Sequence, residues 1–186
     1  MQKAIQRKQN FPELFSGYDL VAQEDLGRPL TDLAPELLWF QSQMESLNLQ
    51  MPFFFHAGEC LGTGNDTDHN LFDAILLGTR RIGHGFSLYK HPLLIDLVKE
   101  KKILVESCPI SNEVLRLCGS VMSHPLPALL ARGVAVRTRF ISALVPTIAF
   151  IQLSKHIPYF VMRSFGSNPS ILLLSRLQET THRTKK

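Results

Sequence analysis

Residues 51–59 (MPFFFHAGE) contain the feature that decides how this chain folds. The apolar run at their start predicts a short buried strand that ends at His56. Residues three apart on a strand point to opposite faces, so His56 and Glu59 reach one site only if the chain turns between them. Gly58 favours such a turn, because glycine adopts backbone angles that other residues resist. The stretch therefore predicts a strand end at which His56 and Glu59 converge.

A second histidine, His84, lies downstream in residues 83–85 (GHG). Two imidazoles and a carboxyl group at neighbouring strand ends suit metal-assisted hydrolysis, which needs a metal ligand, a proton carrier and an orienting base. His56, Glu59 and His84 are therefore the candidate site residues.

Polar residues close the predicted strands at a fixed interval. His56, His84 and Asn112 lie 28 residues apart, and each follows a short apolar pattern. The predicted strands are 14–21, 52–55, 81–83, 103–108 and 134–136, and the predicted helices are 33–47, 68–77, 92–101 and 112–118. Gly119 is expected to cap the last helix, and Thr31 or Asp32 the first. Strand–helix alternation implies parallel strands with crossover helices, and functional residues at successive strand ends favour a (β/α) barrel over an open sheet.

A complete barrel takes about 250 residues, so residues 1–136 can supply only part of one. The predicted architecture is an α/β fold, a partial barrel over residues 1–136 followed by a divergent basic and apolar tail over residues 137–186. The tail holds 8 Lys and Arg against one acid, whereas residues 1–136 hold 12 Lys and Arg against 15 Asp and Glu. The acidic balance of the barrel portion predicts no nucleic-acid partner.

Composition argues against several classes of protein. Of the 186 residues, 45% are hydrophobic and 19% are charged, which is typical of a globular protein. The first residues lack the apolar segment of a signal peptide, and the longest apolar stretch, residues 140–153, is too short for a membrane span. The three cysteines predict no disulfide framework, and Cys108 and Cys118 are interpreted as buried thiols.

Several short motifs, in matching order and spacing, resemble the adenosine deaminase family. They are residues 54–59 (FFHAGE), 81–86 (RIGHGF) and 106–112 (ESCPISN), and residues 17–21 (GYDLV) and 90–92 (KHP) are similar to its secreted branch. That branch comprises adenosine deaminase 2 and the adenosine deaminase-related growth factors. The resemblance covers about residues 11–136.

The resemblance implies a (β/α)8 barrel of the metal-dependent hydrolase type, of which this chain holds roughly strands 4 to 8. It implies a catalytic zinc with His56 as a ligand. Glu59 would give a proton to N1 of the purine, and His84 would orient and deprotonate the attacking water. The implied substrate is adenosine or 2'-deoxyadenosine, the products are inosine and ammonia, and the implied location is extracellular. The dimerisation elements of the family are not visible in this sequence.

The chain departs from the family at three places. No His-x-His pair, which supplies two zinc ligands in the family, occurs in the sequence. The family's Ser-Asp-Asp-Pro motif is missing: Ile141 stands where its first Asp is expected, and no acid lies between Glu113 and Glu179. Ala22 occupies the place of a family glycine close to the substrate base.

Two functional interpretations stay open. The residues are half of a working deaminase site, or the chain is a truncated, non-catalytic product that acts, if at all, through binding. Catalytic zinc normally needs three protein ligands, so the chain as written is expected to be inactive. Its tail is interpreted as foreign to the family, from alternative splicing or a mispredicted exon.

Other polar residues have more than one interpretation. Asn112 is either a helix cap or a site residue. Asp19 and Glu24 either reach the barrel mouth or have a solvated or capping role. His91 and His124, each followed by proline, are interpreted as helix-start residues. Residues 65–67 (NDT) form a glycosylation sequon, which matters if the protein is secreted.

Overall fold

The computed structural model describes residues 1–138 and the backbone of residues 160–162. Within them the helices are α1 (Gln2–Asn10), α2 (Ala34–Ser46), α3 (Asp66–Leu76), α4 (Pro92–Glu100), α5 (Pro109–Val114) and α6 (Leu126–Ala131). The strands are β1 (Phe15–Tyr18), β2 (His56–Ala57), β3 (Arg81–His84), β4 (Leu104–Ser107), β5 (Val136–Thr138) and β6 (Phe160–Met162).

Strands β2, β3, β4 and β5 form a parallel sheet in that order. The register pairs His56 of β2 with Gly83 of β3. A parallel bridge between Tyr18 and Phe53 brings β1 alongside the segment that leads into β2, and the other edge of β1 pairs antiparallel with β6. Helix α3 connects β2 to β3 and α4 connects β3 to β4, as parallel pairing requires. The predicted partial (β/α) barrel is confirmed.

Aromatic rings fill the core between β1, α2 and the segment before β2. The ring centroids of Tyr18 and Phe40 are 4.8 Å apart, and those of Phe53 and Phe55 are 4.5 Å apart. Residues two apart on extended chain share a face, so Phe53 and Phe55 are buried together. His56 follows Phe55 and points to the opposite face, which places its imidazole on the side of the candidate site.

The strand expected over residues 52–55 is shorter than predicted, because regular pairing in β2 begins at His56. Residues 52–55 still bond to both neighbours: the N–H of Tyr18 donates to the carbonyl of Pro52, and the N–H of Gly83 donates to the carbonyl of Phe55. The N–H of Phe55 donates to the side-chain hydroxyl of Thr79 and not to a strand carbonyl, which interrupts the regular ladder before His56.

The helix expected over residues 112–118 is displaced. Helix α5 begins at Pro109, whose restricted backbone suits a first helical position, and it ends before Arg116, which has a φ of 60°. Gly119 is therefore not its cap. Cys118 lies in the bend beyond the helix and is half-buried, so the prediction of a buried thiol is wrong for Cys118 and confirmed for Cys108.

The start of α2 also differs from expectation. Neither Thr31 nor Asp32 caps it through its side chain, because a 3-10 turn over Leu30–Leu33 leads directly into the helix. Helices α1 and α6 were not predicted from the apolar pattern, since each buries only one or two side chains. None of the helices in residues 1–138 is both long enough and apolar enough to cross a membrane.

Candidate active site

Positive backbone φ angles at Gly58 and His84 orient the candidate side chains. Gly58 has a φ of 75°, and a Cβ at this position would lie 3.0 Å from the methyl groups of Leu71, so both angle and space require glycine. His84 ends β3 with a φ of 65°, a left-handed angle that side-chain-bearing residues rarely adopt. Such strained angles persist where the surroundings enforce them, and they cluster at functional sites.

The structure brings His56, Glu59 and His84 together. Glu59 Oε1 lies 2.7 Å from His84 Nδ1, and the ring centroids of His56 and His84 are 5.3 Å apart. The side chains of His84 and Glu59 are 10% and 14% exposed. Although the Glu59–His84 contact is short, its angles are not those of an aligned N–H···O hydrogen bond, and Glu59 Oε1 has no aligned partner among the described residues. A largely buried carboxyl oxygen in this state is available to a ligand.

Asp19 belongs to the site, which settles one of the open interpretations. It is 5% exposed, and its Oδ2 lies 2.8 Å from Nδ1 of His56. Its Oδ1 accepts the backbone N–H of His56 at 3.2 Å. Burial by itself lowers the pKa of His56, but the Asp19 carboxylate, together with Glu59 and Glu106, outweighs that effect and raises the pKa above its ordinary value. Asp19 therefore holds the position and the charge state of this imidazole.

Glu24 also faces the site, from the 3-10 turn over Glu24–Leu26. Its carboxylate accepts the backbone N–H groups of Gly58 and Glu59 and the side-chain amide of Asn70. Burial raises the pKa of Glu24, and these hydrogen bonds oppose the rise. Glu24 thus supports the turn that delivers Glu59.

Asn112 lies inside α5 and is fully buried, so it is not the helix cap that one interpretation offered. Its Nδ2 is 3.3 Å from His84 Nδ1, and its Oδ1 is 2.9 Å from His124 Nε2. His124 was interpreted as a helix-start residue, and no local sequence signal separates it from His91. His91 directly precedes the first residue of α4, as expected, and its Nε2 lies 3.0 Å from Asp68 Oδ1.

The described residues do not complete a zinc site. No three His, Cys, Asp or Glu side chains within residues 1–138 are arranged to hold a metal ion. Of the expected ligands His56 is present, with its Nδ1 already against Asp19, while Ile141 lies outside the described residues. Because catalytic zinc normally has three protein ligands, this part of the chain does not fit the ion by itself. Ala22 is exposed at a bend between β1 and the turn that carries Glu24.

Comparisons with known proteins point to one family. A model of the adenosine deaminase family matches residues 15–139. Adenosine deaminase 2-A of Danio rerio is 43% identical over 133 residues, which is 72% of this chain and 26% of that protein. An adenosine deaminase of Phlebotomus duboscqi is 49% identical over 126 residues, which is 68% of this chain and 23% of that protein. The chain thus spans about a quarter of the length of the curated relatives it matches.

Solved structures share the fold at lower identity. The adenine deaminase of Arthrobacter aurescens matches with a TM-score of 0.58 and 23% identity, over 74% of this chain and 38% of that one. Arabidopsis ADAL in complex with IMP matches with a TM-score of 0.56 and 19% identity, over 74% of this chain and 35% of that one. The fold and the arrangement at the strand ends agree with the family match, which covers most of this chain. The chain belongs to the adenosine deaminase family.

Proposed function

We propose that this protein serves the hydrolytic deamination of adenosine or 2'-deoxyadenosine, and that residues 1–138 carry the acid–base half of the site. The observation that carries the proposal is the 2.7 Å approach of Glu59 to His84, with the His56 ring alongside. Relatives named adenosine deaminase support the reaction, and a structural neighbour that binds IMP supports a purine ligand.

The reaction breaks the bond between C6 of the purine and its amino group and forms a bond from C6 to a water oxygen. Glu59 gives a proton to N1, which makes C6 more electrophilic, and His84 orients the attacking water. Of the two protons of that water, one restores Glu59 and the other leaves with the amino group as ammonia. Proton transfer by a positioned side chain typically contributes about 10²–10⁴-fold to a rate. Ala22 would lie near the base, where its methyl group narrows the space that the family glycine leaves.

His56 is the ligand that this half would offer to a zinc ion. The described residues do not complete the ligand set, so no step of the reaction is assigned to the metal here. The remaining ligands have to come from outside residues 1–138.

A chimera tests the function by taking the rest of the site from a relative. Residues 15–138 replace the matching segment of Danio rerio adenosine deaminase 2-A, which supplies the rest of its own barrel, and conversion of adenosine to inosine is measured. We expect turnover, and we expect Glu59→Gln to lower it about 10²–10⁴-fold. Glu36→Gln, at an exposed carboxylate on α2, is the matched control. A folded, zinc-loaded chimera without turnover, or one in which both variants are equally active, rejects the proposal.

The second candidate function is binding without catalysis by the 186-residue chain. The incomplete ligand set favours it, as do Leu76 of α3 and Leu93 of α4, which are 82% and 81% exposed. On this account the purified chain holds less than one zinc per molecule and forms no inosine. A chain that holds about one zinc and deaminates adenosine rejects this alternative.

We further place the protein outside the cell, on its resemblance to the secreted branch of the family. The exposed sequon at Asn65 is compatible with that location.

A further inference from the structure

A chain of hydrogen bonds leads from the backbone of Leu126 through His124 and Asn112 to His84. The backbone N–H of Leu126 donates to His124 Nδ1 at 2.9 Å, and His124 Nε2 lies 2.9 Å from Asn112 Oδ1. Asn112 Nδ2 lies 3.3 Å from His84 Nδ1. Asn112 and His124 are 0% and 4% exposed, so solvent does not compete for these contacts.

The direction of each hydrogen bond follows from the backbone N–H at one end, which can only donate. His124 Nδ1 therefore accepts and carries no hydrogen. Burial and the nearby His84 lower the pKa of His124, which keeps its ring neutral at pH 7 and leaves its hydrogen on Nε2. The hydrogen on His124 Nε2 needs an acceptor, so the atom of Asn112 that faces it has to be the amide oxygen. This fixes the orientation of the Asn112 amide, which could otherwise be flipped. The amide nitrogen of Asn112 then faces His84, and it too can only donate.

We propose that Asn112 and His124 are positioning residues that hold His84 in the neutral tautomer with its hydrogen on Nε2. Nδ1 of His84 accepts from Asn112, so neither ring nitrogen keeps a free lone pair. In this state His84 donates a hydrogen bond to water or substrate and does not take a proton from it. The tautomer is inferred from the hydrogen-bond geometry, with the lowered pKa of His124 as support. Its consequence for catalysis, which is that His84 orients water without deprotonating it, rests on the proposed function.

The contact between Glu59 and His84 constrains this assignment, because it involves the same ring nitrogen. Glu59 Oε1 is only 2.7 Å from His84 Nδ1, yet no aligned N–H reaches it within the described residues. An Nδ1 that accepts from Asn112 has no hydrogen to give to Glu59, so at 2.7 Å their lone pairs repel unless the carboxyl group carries the hydrogen. The assigned tautomer therefore requires the protonated form of Glu59 in this contact, which is also the form that gives a proton to N1 in the proposed function.

The substitution Asn112→Asp tests the assignment, because it keeps the shape of the side chain but leaves only acceptors. His84 then has to present a hydrogen on Nδ1 to the new carboxylate. The readout is the ¹⁵N NMR signal of each ring nitrogen in the 186-residue chain, at a pH where free imidazole is neutral. In the wild type we expect His84 Nδ1 at the unprotonated position and Nε2 at the protonated position. In the variant the Nδ1 signal moves to the protonated position.

Asn65→Asp makes the same chemical change at the exposed cap of α3 and is expected to leave the His84 signals in place. A hydrogen on His84 Nδ1 in the wild type overturns the proposal, and so does a folded Asn112→Asp chain with an unchanged Nδ1 signal. If the variant does not fold, the wild-type signals decide alone. The measurement needs no turnover, so a failure to form inosine counts against the proposed function and not against the tautomer.

Discussion

Glu24 shows how a single side chain holds the turn on which the candidate site depends. Its Oε1 accepts the N–H of Gly58 and the amide of Asn70 at 3.0 and 3.1 Å, and its Oε2 accepts the N–H of Glu59. The turn at Gly58 leaves these backbone donors without partners in a strand or helix. The buried carboxylate of Glu24 accepts hydrogen bonds from these N–H groups, which have no partner in a strand or helix.

Replacing Glu24 with alanine should therefore destabilise the fold. Each buried donor that loses its acceptor costs about 1–3 kcal/mol, so we expect a loss of at least about 2 kcal/mol in the free energy of unfolding, measured with urea. Glu36→Ala, at an exposed site on α2, is the control and should change it by less than about 0.5 kcal/mol. Equal effects of the two substitutions would contradict the role of Glu24.

Glu24 should also leave a signature in the pH dependence of stability. Its pKa is raised above the ordinary value of 4.5, mainly by burial. Above pH 4.5 the unfolded chain releases the Glu24 proton while the folded chain still holds it. The contribution of Glu24 to the free energy of unfolding is therefore complete below pH 4.5 and is lost as pH rises through the raised pKa. Relative to Glu24→Gln, the wild type should lose stability across that window. A relative gain would contradict the direction of the shift.

Asn65 provides a residue-level test of whether the sequon accepts a glycan, as the proposed extracellular location would allow. Its Oδ1 caps α3 by accepting the N–H of Asp68 at 3.1 Å, which leaves its Nδ2 free for a glycan. Expressed through the secretory pathway, the chain should carry a glycan that a glycosidase removes, as measured by mass. Asn65→Asp keeps the cap and Thr67→Ala breaks the sequon, and both should abolish the glycan. A chain that crosses the pathway unmodified would contradict this expectation.

At the scale of elements, the site depends on how closely β2 approaches β3. His56 and Gly83 are register partners, and the imidazole of His56 lies over Gly83. A Cβ on Gly83 would be 2.8 Å from Cδ2 and 2.9 Å from Cγ of His56, which is closer than carbon atoms tolerate. The absent side chain therefore makes room for the imidazole between the two strands.

Gly83→Ala should displace His56 from Asp19 and His84. We expect a loss of about 1–3 kcal/mol in unfolding free energy, as overpacking usually costs, and a change in the ¹⁵N signals of the His56 ring. Gly119→Ala is the matched control, because a Cβ there meets nothing within 4 Å. Unchanged His56 signals in a folded Gly83→Ala chain would show that the ring does not need this space.

At the scale of the whole molecule, β1 has a parallel neighbour on one edge and an antiparallel neighbour on the other. One edge follows the segment before β2 in parallel, and the other pairs with β6 from the C-terminal portion. An unpaired edge strand offers backbone donors and acceptors to other chains. The antiparallel partner from residues 160–162 covers that edge.

Ending the chain after Thr138 should expose this edge. We expect the shortened chain to self-associate more strongly than the 186-residue chain, seen as a mass that rises with concentration in sedimentation or light scattering. A shortened chain that stays monomeric where the full chain associates would contradict this role of β6. The same pair of proteins tests whether residues 139–186 lie outside the barrel, since their removal should then leave the helix content of residues 1–138 unchanged.

Local sequence was enough to predict the core of the candidate site. The apolar run before His56, the turn at Gly58 and the regular spacing to His84 indicated parallel strands whose ends meet at one edge. The ends of neighbouring parallel strands are close wherever such a sheet forms, so these side chains had to lie together once the alternation was recognised.

Only the tertiary structure decided which side chains support that core. The contacts of Asp19 with His56, Glu24 with Gly58 and Asn112 with His84 join residues that are 37, 34 and 28 positions apart. The 28-residue interval singled out Asn112, but no pattern named its partner or the partners of Asp19 and Glu24, because these contacts form only after packing. The sequence by itself determined the barrel segment and its reactive groups, and packing determined the hydrogen-bond partners that set their charge and tautomer.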